Sequence, residues 1–104
     1  MKTQHINEFS NQDFERLAKD GQLIDVRTPE EYADGHIKGA ELYPVDQIEQ
    51  FDKKKDKTYY IYCRSGKRSL KAAEYLDKQG YDVVNLDGGY VAYSEGDDNT
   101  EVKE

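Results

Sequence analysis

Four short β-rich runs in this chain are separated by helix signals, and that alternation leaves few folds open. The runs are Gln22 to Val26, Ala40 to Tyr43, Thr58 to Tyr62 and Val83 to Leu86, bounded by glycine, proline and charged residues. Between them lie segments with helix starts and stops. Ser10-Asn11-Gln12-Asp13 reads as an N-cap with an acid in the first turn. Phe14, Leu17 and Ala18 then fall at i, i+3 and i+4, and Gly21 is placed to stop the helix. Thr28-Pro29-Glu30-Glu31 combines a capping threonine, a first-turn proline and a capping-box glutamate. Gly35 keeps that helix short. A further short helix is expected over Asp46 to Phe51. Another runs over Ser69 to Gln79, with Leu70, Ala73 and Leu76 on one face and Gly80 at its end. The turn Asp87-Gly88-Gly89 leads into Tyr90 to Tyr93. Strands joined through helices pair in parallel, with helices covering both faces of the sheet. The expected fold is therefore a three-layer α/β fold around a central, mostly parallel sheet.

At 104 residues the chain fits one domain. We place that domain at 1–94 and expect 95–104, which is polar and mostly acidic, to be a disordered tail. The charged run from Asp52 to Lys57 reads as a solvated connection. A formal net charge of -7 argues against nucleic acid, which needs a basic face, and against an anionic membrane surface. No apolar run approaches the roughly 20 residues of a membrane span. Residues 1–10 lack the apolar stretch of a secretory signal, so a cytoplasmic location is expected. One cysteine cannot close an internal disulfide, and with only two histidines it cannot complete a structural zinc site. Neither a metal nor a cofactor is expected.

That cysteine, Cys63, directly follows the Thr58–Tyr62 run, and a helix follows soon after. In an open parallel sheet such a position is the carboxyl edge, where ligands bind. Ser65 and Gly66 are small enough to let backbone N–H groups converge on an anion. The helix start adds unpaired donors and partial positive charge. Arg64, Lys67 and Arg68 concentrate cations here in an otherwise acidic chain. Together these features favour the thiolate, the nucleophilic form of a cysteine. Cys63 is thus the candidate catalytic residue, with Arg64, Ser65, Gly66, Lys67, Arg68 and Ser69 as candidate substrate-binding residues. Asp25 and Arg27, flanking a buried strand end, read as an ion pair or a loop cap. His36 reads as a residue of the fold.

The run from Cys63 to Ser69 resembles the active-site loop of rhodanese domains. Leu23-Ile24-Asp25-Val26-Arg27 and Glu31-Tyr32, with the run from Gly35 to Ala40, resemble the two N-terminal signatures of that family. Ala72-Ala73-Glu74-Tyr75-Leu76 and Leu86-Asp87-Gly88-Gly89 are similar to its C-terminal half. The resemblance spans Ile6 to Tyr93. Lys38, where proline is common, and Tyr93, where tryptophan often stands, depart from it at peripheral positions. The resemblance implies a five-stranded parallel sheet. It also implies a cysteine that takes a sulfane sulfur from an anionic donor such as thiosulfate and passes it, as a persulfide, to cyanide or a thiol. With no second cysteine, the sulfur would leave to an external acceptor, a small thiol or a protein. Two other functions compete. Cysteine phosphatases and arsenate reductases also use such a loop. However, phosphatases usually place five residues between cysteine and arginine, whereas Cys63 and Arg68 enclose four. A rhodanese-like module could also bind or deliver without turnover, often with its cysteine lost; here Cys63 is retained.

Overall fold

The structure is a computed structural model that describes residues 1–95. Five strands form one sheet: β1 (Lys2–His5), β2 (Leu23–Asp25), β3 (Glu41–Leu42), β4 (Thr58–Tyr62) and β5 (Asp82–Asp87). Their order is β1-β5-β4-β2-β3, and every pair is parallel. The register sets Ile24 opposite Ile61 and Ile61 opposite Asn85. The α/β architecture expected from the alternation is the one observed.

Strand alternation divides the core between two faces. On one, Tyr59, Ile61 and Cys63 of the β4 line pack with Val83, Ala72, Ala73 and Leu76. The last three belong to helix α3 (Lys67–Lys78). On the other face, Tyr62, Leu23, Val84 and Leu86 pack against Phe14 and Leu17 of α1 (Asn11–Lys19). Tyr90, Ala92 and Tyr93 of α4 (Gly89–Glu95) cover the same face. A one-turn 3-10 helix at Ile6–Glu8 and a longer one at Val45–Gln50 complete the layers with α2 (Pro29–Asp34). Among the described residues no helix is long and apolar enough to cross a membrane.

The predicted caps are present. Ser10 Oγ accepts from Asp13 N at 3.1 Å, while the Asp13 carboxylate accepts from Ser10 N at 2.8 Å. Thr28 and Glu31 close the same reciprocal box on α2.

Three expectations need correction. β1 has no counterpart in the sequence reading, because Lys-Thr-Gln-His carries no apolar period. It is an edge strand held through its backbone, in register with Val84 to Asp87 of β5. α3 opens at Lys67, two residues before the expected Ser69. Its N-cap is Gly66, in the left-handed region at φ +110°. Tyr90 to Tyr93 are helical, within α4. Glu95, expected to open the tail, closes that helix, and residues 96–104 lie outside the described residues.

Candidate active site

Cys63 continues the β4 alternation onto the α3 face and is 1% exposed. Its Sγ accepts a hydrogen bond from Gly66 N at 3.1 Å. The loop is fixed from its far side by α4. Tyr90 N donates to Cys63 O at 2.8 Å, and Val91 N donates to Arg64 O at 3.1 Å. Two loop carbonyls are thereby drawn towards α4, while the Gly66 amide is directed at the sulfur. This close approach requires Gly89. It sits at φ +61°, and a Cβ there would lie 2.6 Å from Cys63 O and against the Arg64 carbonyl.

The basic side chains of the loop do not act alike. Lys67 is exposed, and Arg64 and Ser65 are half-buried. Arg68, in the first turn of α3, is bidentate to Glu31 of α2, with Nη1 at 2.6 Å and Nη2 at 2.9 Å from the two carboxylate oxygens. The Arg68 hydrogen bonds hold the Glu31 carboxyl down at about 2, against burial that pushes it up. Glu31 in turn raises the Arg68 guanidinium above its ordinary value, and the nearby Cys63 adds to this. Ser69 is fully buried, and its hydroxyl donates to Asn85 Oδ1 at 2.6 Å. It ties α3 to β5 beneath the loop, so only its backbone amide belongs to the helix start.

The pair has a testable pH signature. Glu31 has a folded value of about 2, below its ordinary 4.5. Its contribution is therefore fully present above pH 4.5 and is lost as pH falls through about 2. Glu31→Gln retains a capping-box acceptor but loses the ion pair. In denaturant melts, its stability deficit relative to the native chain should be largest above pH 4.5 and should close towards pH 2. A deficit independent of pH would remove the ionic contribution.

A second buried network braces the loop from the opposite face. Arg27 Nη2 lies 2.8 Å from Asp25 Oδ2, with the two side chains 5% and 0% exposed. Nη2 also donates to Gly35 O at 2.6 Å, and the guanidinium sits 4.5 Å from the centre of the Tyr90 ring. Burial is the largest single influence and opposes the Arg27 charge, but the Asp25 hydrogen bonds and charge, with smaller help from Tyr62 and Glu31, together raise the guanidinium above its ordinary value. Tyr62, adjacent to Cys63, accepts from Ile37 N at 3.0 Å. Burial, then the Asp25 charge, push its hydroxyl well above the usual phenol range. Asp25 and Arg27 thus form the expected ion pair. His36 stacks on Tyr32, with ring centres 3.6 Å apart.

Cys63, Arg64, Ser65, Gly66 and Lys67 are consecutive and form the link from β4 into the start of α3. Sequence reading missed Gly89 and Tyr90 as the far wall of the loop and Asn85 as the anchor of Ser69. It gave Glu31 only its capping role. The double glycine after an aspartate was the one available signal for the α4 contact.

Residues 10–96 match the rhodanese-like domain family. A sulfurtransferase of Allochromatium vinosum is 42% identical over 95 residues, covering 86% of this chain and 89% of that protein. The thiosulfate sulfurtransferase GlpE of Pseudoalteromonas translucida is 40% identical, covering 79% of this chain and 82% of that one. The crystal structure of a rhodanese-like domain protein from Staphylococcus aureus superposes with a TM-score of 0.66 at 36% identity, over 100% of both chains.

Proposed function

Since this chain belongs to the rhodanese-like domain family, we propose that it is a sulfurtransferase that carries sulfane sulfur on Cys63. The observation that carries the reading is the Gly66 amide directed at Sγ, in a loop whose carbonyls are turned to α4. An amide-lined hollow of this kind stabilises an anion on the sulfur without needing a proton donor.

In this reading the Cys63 thiolate attacks the outer sulfur of an anionic donor such as thiosulfate. The new S–S bond forms as the old one breaks, and sulfite leaves with the electron pair. The terminal sulfur of the Cys63 persulfide then carries the negative charge, held by the loop amides from Ser65 to Ser69. An external thiolate or cyanide attacks that terminal sulfur, and Cys63 leaves as thiolate. No other cysteine is present to take the sulfur within the chain, so the acceptor is a separate molecule. Intact-mass measurement after exposure to thiosulfate tests this. The expected gain is one sulfur atom, removed by dithiothreitol, with thiocyanate formed when cyanide is added. A chain that gains no sulfur would overturn the proposal.

The donor must approach a protein of net charge -7, so local cations dominate its capture. Lys67 is exposed at the loop. Lys67→Ala should raise KM for thiosulfate several-fold at low salt and change kcat by less than about twofold. Added salt should narrow the difference through screening. An unchanged KM at low salt would take Lys67 out of donor capture.

A further inference from the structure

We infer that Glu31 is a specificity-determining residue: by engaging both Nη atoms of Arg68, it withholds from the Cys63 pocket the guanidinium that would otherwise grip a tetrahedral dianion. The inference rests on the reading that this pocket receives anions.

Arg68 is placed to act on the pocket. It lies in the first turn of α3, whose N-cap amide donates to Sγ, and Cys63 is among the groups that raise its guanidinium. A guanidinium matches an oxyanion through two parallel N–H donors. Here both terminal nitrogens already face the Glu31 carboxylate, at 2.6 and 2.9 Å. The pair carries no net charge, and both terminal nitrogens of Arg68 are engaged away from the pocket. The Glu31 carboxylate is itself fixed from behind. Its Oε1 accepts from Thr28 N at 3.1 Å and from Thr28 Oγ1 at 3.2 Å. The α2 cap therefore holds Glu31 where it meets Arg68. A persulfide needs one negative charge stabilised on one sulfur, which amides supply. A free inorganic oxyanion presents several charged oxygens, and without the arginine fork it is held weakly; thiosulfate differs from phosphate and sulfate in carrying a sulfane sulfur that Cys63 can attack, so it does not depend on the fork. The arrangement keeps ambient phosphate and sulfate from occupying the site between turnovers.

Glu31→Gln isolates this role, because glutamine still serves the capping box but cannot hold Arg68 by charge. Cys63 is the only thiol, so its alkylation by the neutral reagent iodoacetamide reports pocket occupancy without any sulfur transfer. Inorganic phosphate is titrated as the protecting ligand. Glu31→Gln should be protected at about tenfold lower phosphate than the native chain. The double variant Glu31→Gln/Arg68→Gln, which has the same net charge as the native pair, should return to within about twofold of native. Equal or weaker protection of a folded Glu31→Gln overturns the inference. So does a gain that survives removal of Arg68. If Glu31→Gln does not fold, the double variant decides: a tenfold loss relative to native would mean that Arg68 already grips oxyanions. Failure of the sulfurtransferase reading would show separately, as no mass gain from thiosulfate in the native chain.

Discussion

Cys63→Ser will take up no sulfur from thiosulfate, and its thiocyanate formation will fall by at least about 10⁴-fold, the scale seen when a covalent nucleophile is removed. The serine hydroxyl is un-ionised at neutral pH, and oxygen does not hold a sulfane sulfur that a thiol can later remove. The substitution is otherwise mild. Sγ accepts a hydrogen bond from Gly66 N at 3.1 Å, and a serine Oγ can accept from the same donor. The loop carbonyls remain clamped by Tyr90 N and Val91 N, whose bonds involve only backbone. The melting temperature should therefore stay within a few degrees of native, so the loss is chemical and not a loss of fold. Because the chain has one cysteine, thiol titre, mass gain and turnover must disappear together. Thiocyanate formed by the serine variant at near-native rates would place the sulfur on another group and overturn the proposed role of Cys63.

The parts of this molecule that were legible in the sequence are those set by neighbours in the chain. Cys63 was found because a strand, small residues, cations and a helix start lie within a few positions of it. The Thr28–Glu31 box and the Ser10–Asp13 box were found because capping is a local exchange over one turn. What stayed hidden depends on distance along the chain. Glu31 meets Arg68 across 37 positions, and Ser69 meets Asn85 across 16. No local pattern distinguishes a capping glutamate from one that also pairs with an arginine on another helix. β1 was hidden for a different reason: its pairing partner is the backbone of β5, which makes no demand on side-chain identity. The displaced start of α3 follows from the same limit. The apolar period begins only at Leu70, whereas the helical backbone begins at Lys67, directly after Gly66 at φ +110°.

The clamp between α4 and the loop makes Gly89→Ala the most damaging small substitution outside Cys63. An added methyl would lie 2.6 Å from Cys63 O and against the Arg64 carbonyl, and backbone on both sides offers no flexible side chain to yield. Residue 89 also sits at φ +61°, which disfavours a side chain by a further 1–2 kcal/mol or so. With overpacking at about 1–3 kcal/mol, the total cost is of order 2–5 kcal/mol. Relief requires α4 and the Cys63–Arg64 backbone to move apart, which lengthens the bonds from Tyr90 N and Val91 N and rotates the loop amides away from Sγ. A displacement near 1 Å at a reacting centre costs about 10²-fold in rate. Gly89→Ala should therefore lose about two orders of magnitude in kcat/KM with thiosulfate, measured at a temperature where circular dichroism reports native secondary structure. Gly21→Ala provides the control. Gly21 is also left-handed, at φ +72°, yet nothing lies within 4 Å of the added methyl. It should show only the backbone penalty and native turnover. If Gly89→Ala matched Gly21→Ala in activity, the α4 contacts would not shape the loop. If both fell together, backbone strain transmitted through the fold, and not the steric clamp at Cys63, would be the cause.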